Sequence, residues 1–261
     1  MPAVESIFSQ AESFLTAGVE PFYDELWYTF AILRKAVFPM KRTKLRQRVL
    51  PVYSHGEEIM NMVTHIVGGA IAIVCLLLCL LKAIPHGSLA VVCACVYGTS
   101  MLVLYTMSSI YHGLPSGTAK KVLQVLDHCT IYGLIAGTYT PIVLCAIAPK
   151  YPAIGWGLCV AEWALAITAA TLTAVDLRKY RIFSMICYIG MGWGILFFLP
   201  QTFSVLSAPG FWILFSGGIA YTIGAVLFGL GKRMKWMHSI FHLFVLLGTI
   251  LQMLTILLYV F

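Results

Sequence analysis

An all-α, polytopic bundle of seven transmembrane helices is the fold class this sequence predicts, on three observations. Of its 261 residues, 60% are hydrophobic and 10% charged, against about 45–50% apolar and 25% charged in soluble domains. Uncharged runs of about 20 residues, long enough to cross a bilayer as a helix, recur along the chain. The bases fall in alternate loops, as they do where those loops face the cytosol.

Taken in order, residues 1–55 are predicted to form an N-terminal cytosolic extension. Phe22, Leu26, Trp27, Phe30, Leu33 and Val37 recur there at three- and four-residue steps, the stripe of an amphipathic helix. That helix, followed by the bases from Lys41 to Arg48, fits either an anionic leaflet or the chain's own cytosolic loops. The first 25 residues carry five acids and no base, unlike a cleavable signal peptide. The transmembrane domain is placed at 56–261, with helices at about 60–82, 89–112, 126–148, 153–175, 182–199, 211–231 and 236–260. The fourth contains one charge, Glu162. Residues 182–230 contain none and are too long for one crossing, so a turn is expected at 200–210, PQTFSVLSAPG.

Orientation follows from the seventeen bases. Seven lie in the N-terminal segment, Lys120 and Lys121 in the second loop, Arg178, Lys179 and Arg181 in the fourth, and Lys232, Arg233 and Lys235 in the sixth. Only Lys82 and Lys150 fall on the other side. The N-terminus is therefore expected in the cytosol and the C-terminus outside, in a multi-pass protein of the plasma or inner membrane. A net charge of +7 distributed this way points to the bilayer, and away from nucleic acid, as the partner. The eight cysteines all lie in apolar runs without a C-x-x-C pair and read as small buried hydrophobes. Glu162 is expected as a neutral, hydrogen-bonded carboxyl inside the bundle. The glycines of Gly190-Met191-Gly192-Trp193-Gly194 are expected to serve close helix packing.

Ionisable groups in or at the edge of a membrane helix are costly and mark paired or functional positions. His238 and His242 open the seventh helix four residues apart, so both imidazoles share a face. Alone, that pair also fits two histidines hydrogen-bonded at an interface. Ser108 and His112 end the second helix with the same spacing, and Asp127 opens the third. Glu57, Glu58, Asn61, the chain's only asparagine, and His65 open the first. The topology drawn from Lys and Arg puts all four segments at one depth, on the cytosolic side. Three imidazoles with an open fourth position are the ligands of a catalytic zinc, and His112, His238 and His242 are the three expected here. Other imidazole-preferring divalent metals also fit. A water at the open position would titrate near neutrality. Asp127 is then the expected group to orient or deprotonate it, and Ser108 the donor to a developing oxyanion. Glu58, Asn61 and His65 are expected to brace the ligands from behind. His128 should point about 100° away from Asp127, toward a loop or headgroup.

These residues bear a family resemblance. E-x-x-N-x-x-x-H at Glu58 to His65, S-x-x-x-H with a later Asp at Ser108, His112 and Asp127, and H-x-x-x-H at His238 to His242 resemble the progestin and adiponectin-receptor family. The phrases SSIYHGLP, LDHCTIYGLIAGTYTP and HSIFHLF are most similar to its bacterial haemolysin III branch. The resemblance runs from about residue 53 to the C-terminus; the long N-terminal extension departs from it. It implies the seven-helix fold, an intramembrane zinc on His112, His238 and His242, and ceramidase-like amide hydrolysis. The expected function is thus metal-dependent hydrolysis of a lipid amide or ester, with a membrane lipid as substrate or ligand. A haemolysin-like pore-former or transporter, and a zinc-stabilised receptor without turnover, stand as alternatives.

Overall fold

The structure, a computed structural model, describes residues 43–231 and 234–261; the amphipathic stripe at 22–37 lies outside the described residues. Among these, the regular structure is all helical: α1 His55–Ala83, α2 Ser88–Gly113, α3 Thr118–Pro141, α4 Pro152–Val175, α5 Arg181–Trp193, α6 Leu199–Leu230 and α7 Met237–Tyr259. Beyond Pro141, α3 continues as a π-helix, Ile142–Ile147, and α5 tightens into a 3-10 turn, Gly194–Phe198. Helices are what the composition demands, because in lipid every backbone donor and acceptor must be satisfied within its own segment.

Among the described residues six stretches are long and apolar enough to cross a membrane, and the fifth of them, Arg181–Leu230, is 50 residues long. As one straight rod it would measure about 75 Å against a hydrocarbon core of about 30 Å. It folds back instead. Trp193 Nε1 donates to Thr222 Oγ1 at 2.9 Å, and the rings of Phe203 and Phe211 lie 5.4 Å apart. The reversal is sharper than the turn expected over 200–210. Helix continues on both sides of Ser207, the one residue with non-helical dihedrals (φ 58°, ψ 170°). Pro209 follows in the first turn of the second half, where a missing N–H costs no hydrogen bond.

Two helices start earlier than their apolar runs. At α1, Ser54 and Glu57 form a reciprocal capping box, so the helix begins at His55. At α3, the helix begins at Thr118, which carries Lys120 and Lys121 onto the helix and out of the expected loop.

Each helix packs on its neighbour in the chain, and α7 closes the arrangement by packing on α1. Large apolar side chains such as Leu77, Leu81, Val160, Ile167, Ile186 and Phe197 face outward, as expected where the surroundings are acyl chains. Inside, hydroxyls are paired across helices. Tyr105 donates to Thr249 Oγ1 at 2.8 Å, with the Tyr221 hydroxyl 2.8 Å from the same oxygen. Tyr132, Thr173 and Ser184 form a second chain through α3, α4 and α5, each step 2.9 Å.

Of the glycines at 190–194 only Gly194 serves close packing: a Cβ there would lie 3.1 Å from Glu162 Oε1, whereas one on Gly190 or Gly192 would meet nothing within 4 Å. Elsewhere, a Cβ on Gly68 would run into the buried ring of Tyr105. The cysteines are free; Cys75, Cys79 and Cys93 are buried as expected, but Cys129, Cys145, Cys159 and Cys187 are only half-buried and Cys95 is exposed. Glu162 is buried in α4 as expected, yet its Oε2 has no partner among the described residues.

Because Tyr105 is fully buried and committed to Thr249, Gly68→Ala is expected to destabilise the protein by about 1–3 kcal/mol through overpacking. Thermal unfolding in detergent measures this, and an unchanged midpoint would show that α1 and α2 part more easily than their packing implies.

Candidate metal centre

α1, α2, α3 and α7 bring their polar ends together at one end of the bundle. His112, in the last turn of α2, and His238 and His242, in the first turns of α7, are 3%, 7% and 1% exposed. Their ring nitrogens all lie within 4.8 Å of one another. His238 Nε2 is 3.4 Å from His112 Nε2 and 3.1 Å from His242 Nε2. These separations bracket the edge of about 3.3 Å that a tetrahedron has when its bonds are 2.0–2.1 Å. Protons alone satisfy the group poorly, since a neutral imidazole carries one N–H and His238 Nε2 faces two nitrogens. The donor set therefore fits a metal ion, which these three buried histidines could bind, without specifying which one.

The orientation of His112 is fixed from behind. Its Nδ1–H donates to Glu58 Oε2 at 2.7 Å, which leaves Nε2 as a lone pair aimed at the other two rings. A carboxylate behind the ligand sets the tautomer and raises the basicity of the coordinating nitrogen. Glu58 is held in turn by Lys120, whose Nζ donates to Oε1 at 2.6 Å and to the Leu114 carbonyl at 2.9 Å. Asn61 accepts a hydrogen bond from Ser239 Oγ at 2.7 Å, which ties α1 to the first turn of α7. Its Nδ2 lies 3.5 Å from His112 Nδ1. His65 stacks on His242 with ring centroids 3.8 Å apart, and neither of its nitrogens has a partner among the described residues.

Glu57, one residue before Glu58, secures the entry to α7. Its Oε2 accepts from Ser54 N and Oγ, and its Oε1 accepts from Trp236 N at 2.7 Å. Trp236 holds φ 66° at the N-cap of α7, a conformation that costs a non-glycine residue about 1–2 kcal/mol. The bond from Glu57 offsets that cost and sets where His238 begins. On the outer side, Tyr53 stacks on His238 at 4.8 Å. Burial, with Glu58, Asp127 and Glu57 nearby, holds its phenol well above the ordinary value, so it stays neutral.

His238 and His242 open onto a cavity of about 180 Å³; His112 is not in its wall. Ser108, Asp127 and His128 line it with them, and apolar side chains such as Leu134, Ile142, Phe211 and Leu214 make up most of the remainder. The Ser108 hydroxyl is buried with no partner among the described residues. From His238 to Gln252 along α7, both in the wall, the cavity follows the helix for about 20 Å. His128 departs from expectation: it lines the cavity beside Asp127, with Nδ1 3.8 Å from Asp127 Oδ2 and 2.8 Å from the Gln124 carbonyl. The wall is broad enough for residues about 100° apart on α3 to share it.

Lys120, Glu57, Tyr53 and Trp236 were not among the site residues expected from sequence. Two left a signal. Ser54-x-x-Glu57 is a capping-box pattern, and Lys120, Gln124 and Asp127 stand four and three residues apart, on one helical face. Nothing in the sequence marks Tyr53 or the left-handed Trp236.

Replacing Glu58 by Gln keeps the shape but removes the charge behind His112, and is expected to weaken metal binding by about 10–100-fold. Competition with a chromophoric chelator reads the loss; equal affinity would mean that His112 needs no carboxylate.

Comparison with known proteins agrees with the motifs. A family model described as haemolysin-III related matches residues 53–253. Hemolysin-3 of Bacillus cereus is 39% identical over 205 residues, covering 78% of this chain and 92% of the relative. A Hemolysin-3 homolog of Bacillus subtilis (strain 168) is 34% identical over 204 residues, 78% and 94% of the two chains. The monocyte to macrophage differentiation factor of Homo sapiens is 26% identical over 160 residues, 58% and 63%. With three-quarters of its length matched and its histidines gathered as the motifs imply, the chain belongs to the haemolysin-III related family of membrane proteins.

Proposed function

We propose that this protein hydrolyses an amide or ester bond of a membrane lipid at its three-histidine centre. One observation carries the reading: His238 and His242 of the buried triad, with Asp127 and Ser108, line one cavity whose walls are mostly apolar. A zinc ion on His112, His238 and His242, when bound, supplies Lewis acidity and brings a water into the neutral pH range. The residues of the chain supply the rest. Glu58 and Lys120 hold His112 in its coordinating tautomer. Leu134, Ile142, Phe211 and Leu214 take the acyl chain and keep bulk water from it. Asp127 accepts a proton from the attacking water and returns it to the leaving amine or alcohol as the carbonyl C–N or C–O bond breaks. Ser108 donates to the oxygen on which negative charge develops. The products are a fatty acid and the freed amine or alcohol.

Seven crossings, with the N-terminus and the histidine centre at the cytosolic face of the plasma membrane, complete the proposal; the positions of the bases support it. The name of the Bacillus relatives motivates a second reading, membrane lysis, which the unpartnered carboxylate of Glu162 within the bundle favours.

The test is fatty-acid release from ceramide-like amides and matched esters by purified protein in lipid nanodiscs. His242→Ala is expected to abolish release, and Asp127→Asn to slow it by about 10²–10⁴-fold, the usual contribution of a general base. Rates equal to wild type in both variants would refute the enzyme. Dye leakage from liposomes that persists after chelation would favour lysis instead.

A further inference from the structure

A second cavity, of about 500 Å³, adjoins the first. The extended segment 47–53, the start of α3 and the turn between α4 and α5 form its walls. Arg48 lies in its wall, only 9% exposed, and neither Nε nor Nη1 has a partner among the described residues. A buried guanidinium without a counter-charge is unfavourable and calls for an explanation. Arg178 and Arg181 line the same space from the α4–α5 turn.

The nearby acids do not answer them. Asp127 is the one carboxylate in the lining, against three guanidinium groups. Asp176, beside the cavity, is committed to backbone donors: Thr43 N at 2.8 Å, and Arg178 N and Lys179 N at 3.1 Å. Burial works against its charge, but these donors outweigh that and hold its carboxyl below the ordinary range. Among the described residues the space therefore carries a surplus of positive charge, with Nε and Nη1 of Arg48 buried and unengaged.

The two cavities share six lining residues, Asp127, His128, Met185, Tyr188, Phe228 and His238. His238 of the centre thus stands at their junction, mostly apolar on one side and basic on the other. A lipid whose chain fills the first cavity places its headgroup past His238, in the second. A neutral headgroup there would leave Arg48 unpaired. A phosphate accepts two parallel N–H bonds from a guanidinium and suits it in charge and shape.

We propose that the ligand of this centre is an anionic lipid whose phosphate headgroup is held by Arg48, with Arg178 and Arg181 at the mouth of the same cavity. The placement of the acyl chain rests on the lipid-hydrolase reading; the headgroup site rests on Arg48 and its neighbours.

Full-length protein in phosphatidylcholine nanodiscs provides the test, with binding of lysophosphatidic acid, the monoacylglycerol of the same chain, and inorganic phosphate compared. The phosphate lipid is expected to bind at least about tenfold more tightly than the neutral one. Arg48→Gln should erase that preference, and the exposed pair Arg178→Gln and Arg181→Gln, which carries no folding risk, should reduce it severalfold. Equal binding of the two lipids, or a preference unchanged in both variants, would overturn the proposal. Inorganic phosphate binding as tightly as the phosphate lipid would overturn the assignment to a lipid. Since binding is read without turnover, a preference seen with no hydrolysis removes only the enzymatic reading, and hydrolysis of neutral lipids with no preference removes only this one.

Discussion

The hydrogen bond from His112 to Glu58 is the constraint on which the rest of the centre depends. It decides which nitrogen of His112 is free, and so whether three lone pairs meet or only two. A half-buried carboxylate in the first turn of a membrane helix favours a counter-charge, and Lys120 provides it from the first turns of α3. The Lys120, Glu58 and His112 chain joins three helices in two contacts of 2.6 and 2.7 Å. Removing Lys120 leaves the Glu58 carboxylate unbalanced, which costs more than the pair itself contributes.

Around that chain the molecule divides its labour by depth. At the histidine end, carboxylates and backbone donors fix the helix starts: Glu57 caps α1 and holds Trp236 at the entry to α7, and Asp176 binds Thr43 N and the α4–α5 turn. Deeper in the bundle, hydroxyl pairs and tyrosines join the helices, and apolar walls define the long cavity. Of the five acids beyond residue 42, Glu162 alone stands away from the histidine end. That asymmetry is physical: a carboxylate is tolerated where cations and N–H groups are near.

Most of the helices could be read from hydropathy, because about 20 apolar residues in lipid have little choice but to be helical. The triad was legible for a different reason. The spacing of four in His238 and His242 fixes a face, and the distribution of Lys and Arg put His112 at the same depth without reference to the histidines. What hydropathy obscured were the exceptions to it. Lys120 reads as a loop residue because it is charged, yet Glu58 and two carbonyls near it make burial favourable. The reversal after α5 looked like an eleven-residue turn, PQTFSVLSAPG, but one left-handed serine suffices. Of the glycine packing expected at 190–194 only Gly194 bears it out, because small residues permit close approach without requiring it. The pairing of Tyr53 with His238 is a contact between distant segments, which local sequence does not encode.

X-ray absorption at the metal edge of the purified protein tests the central claim most directly. The account predicts one metal per chain, ligated by three imidazole nitrogens at about 2.0–2.1 Å, with the imidazole count falling in His112→Ala. Sulfur ligation, or protein that holds no metal after purification and resupply, would contradict it.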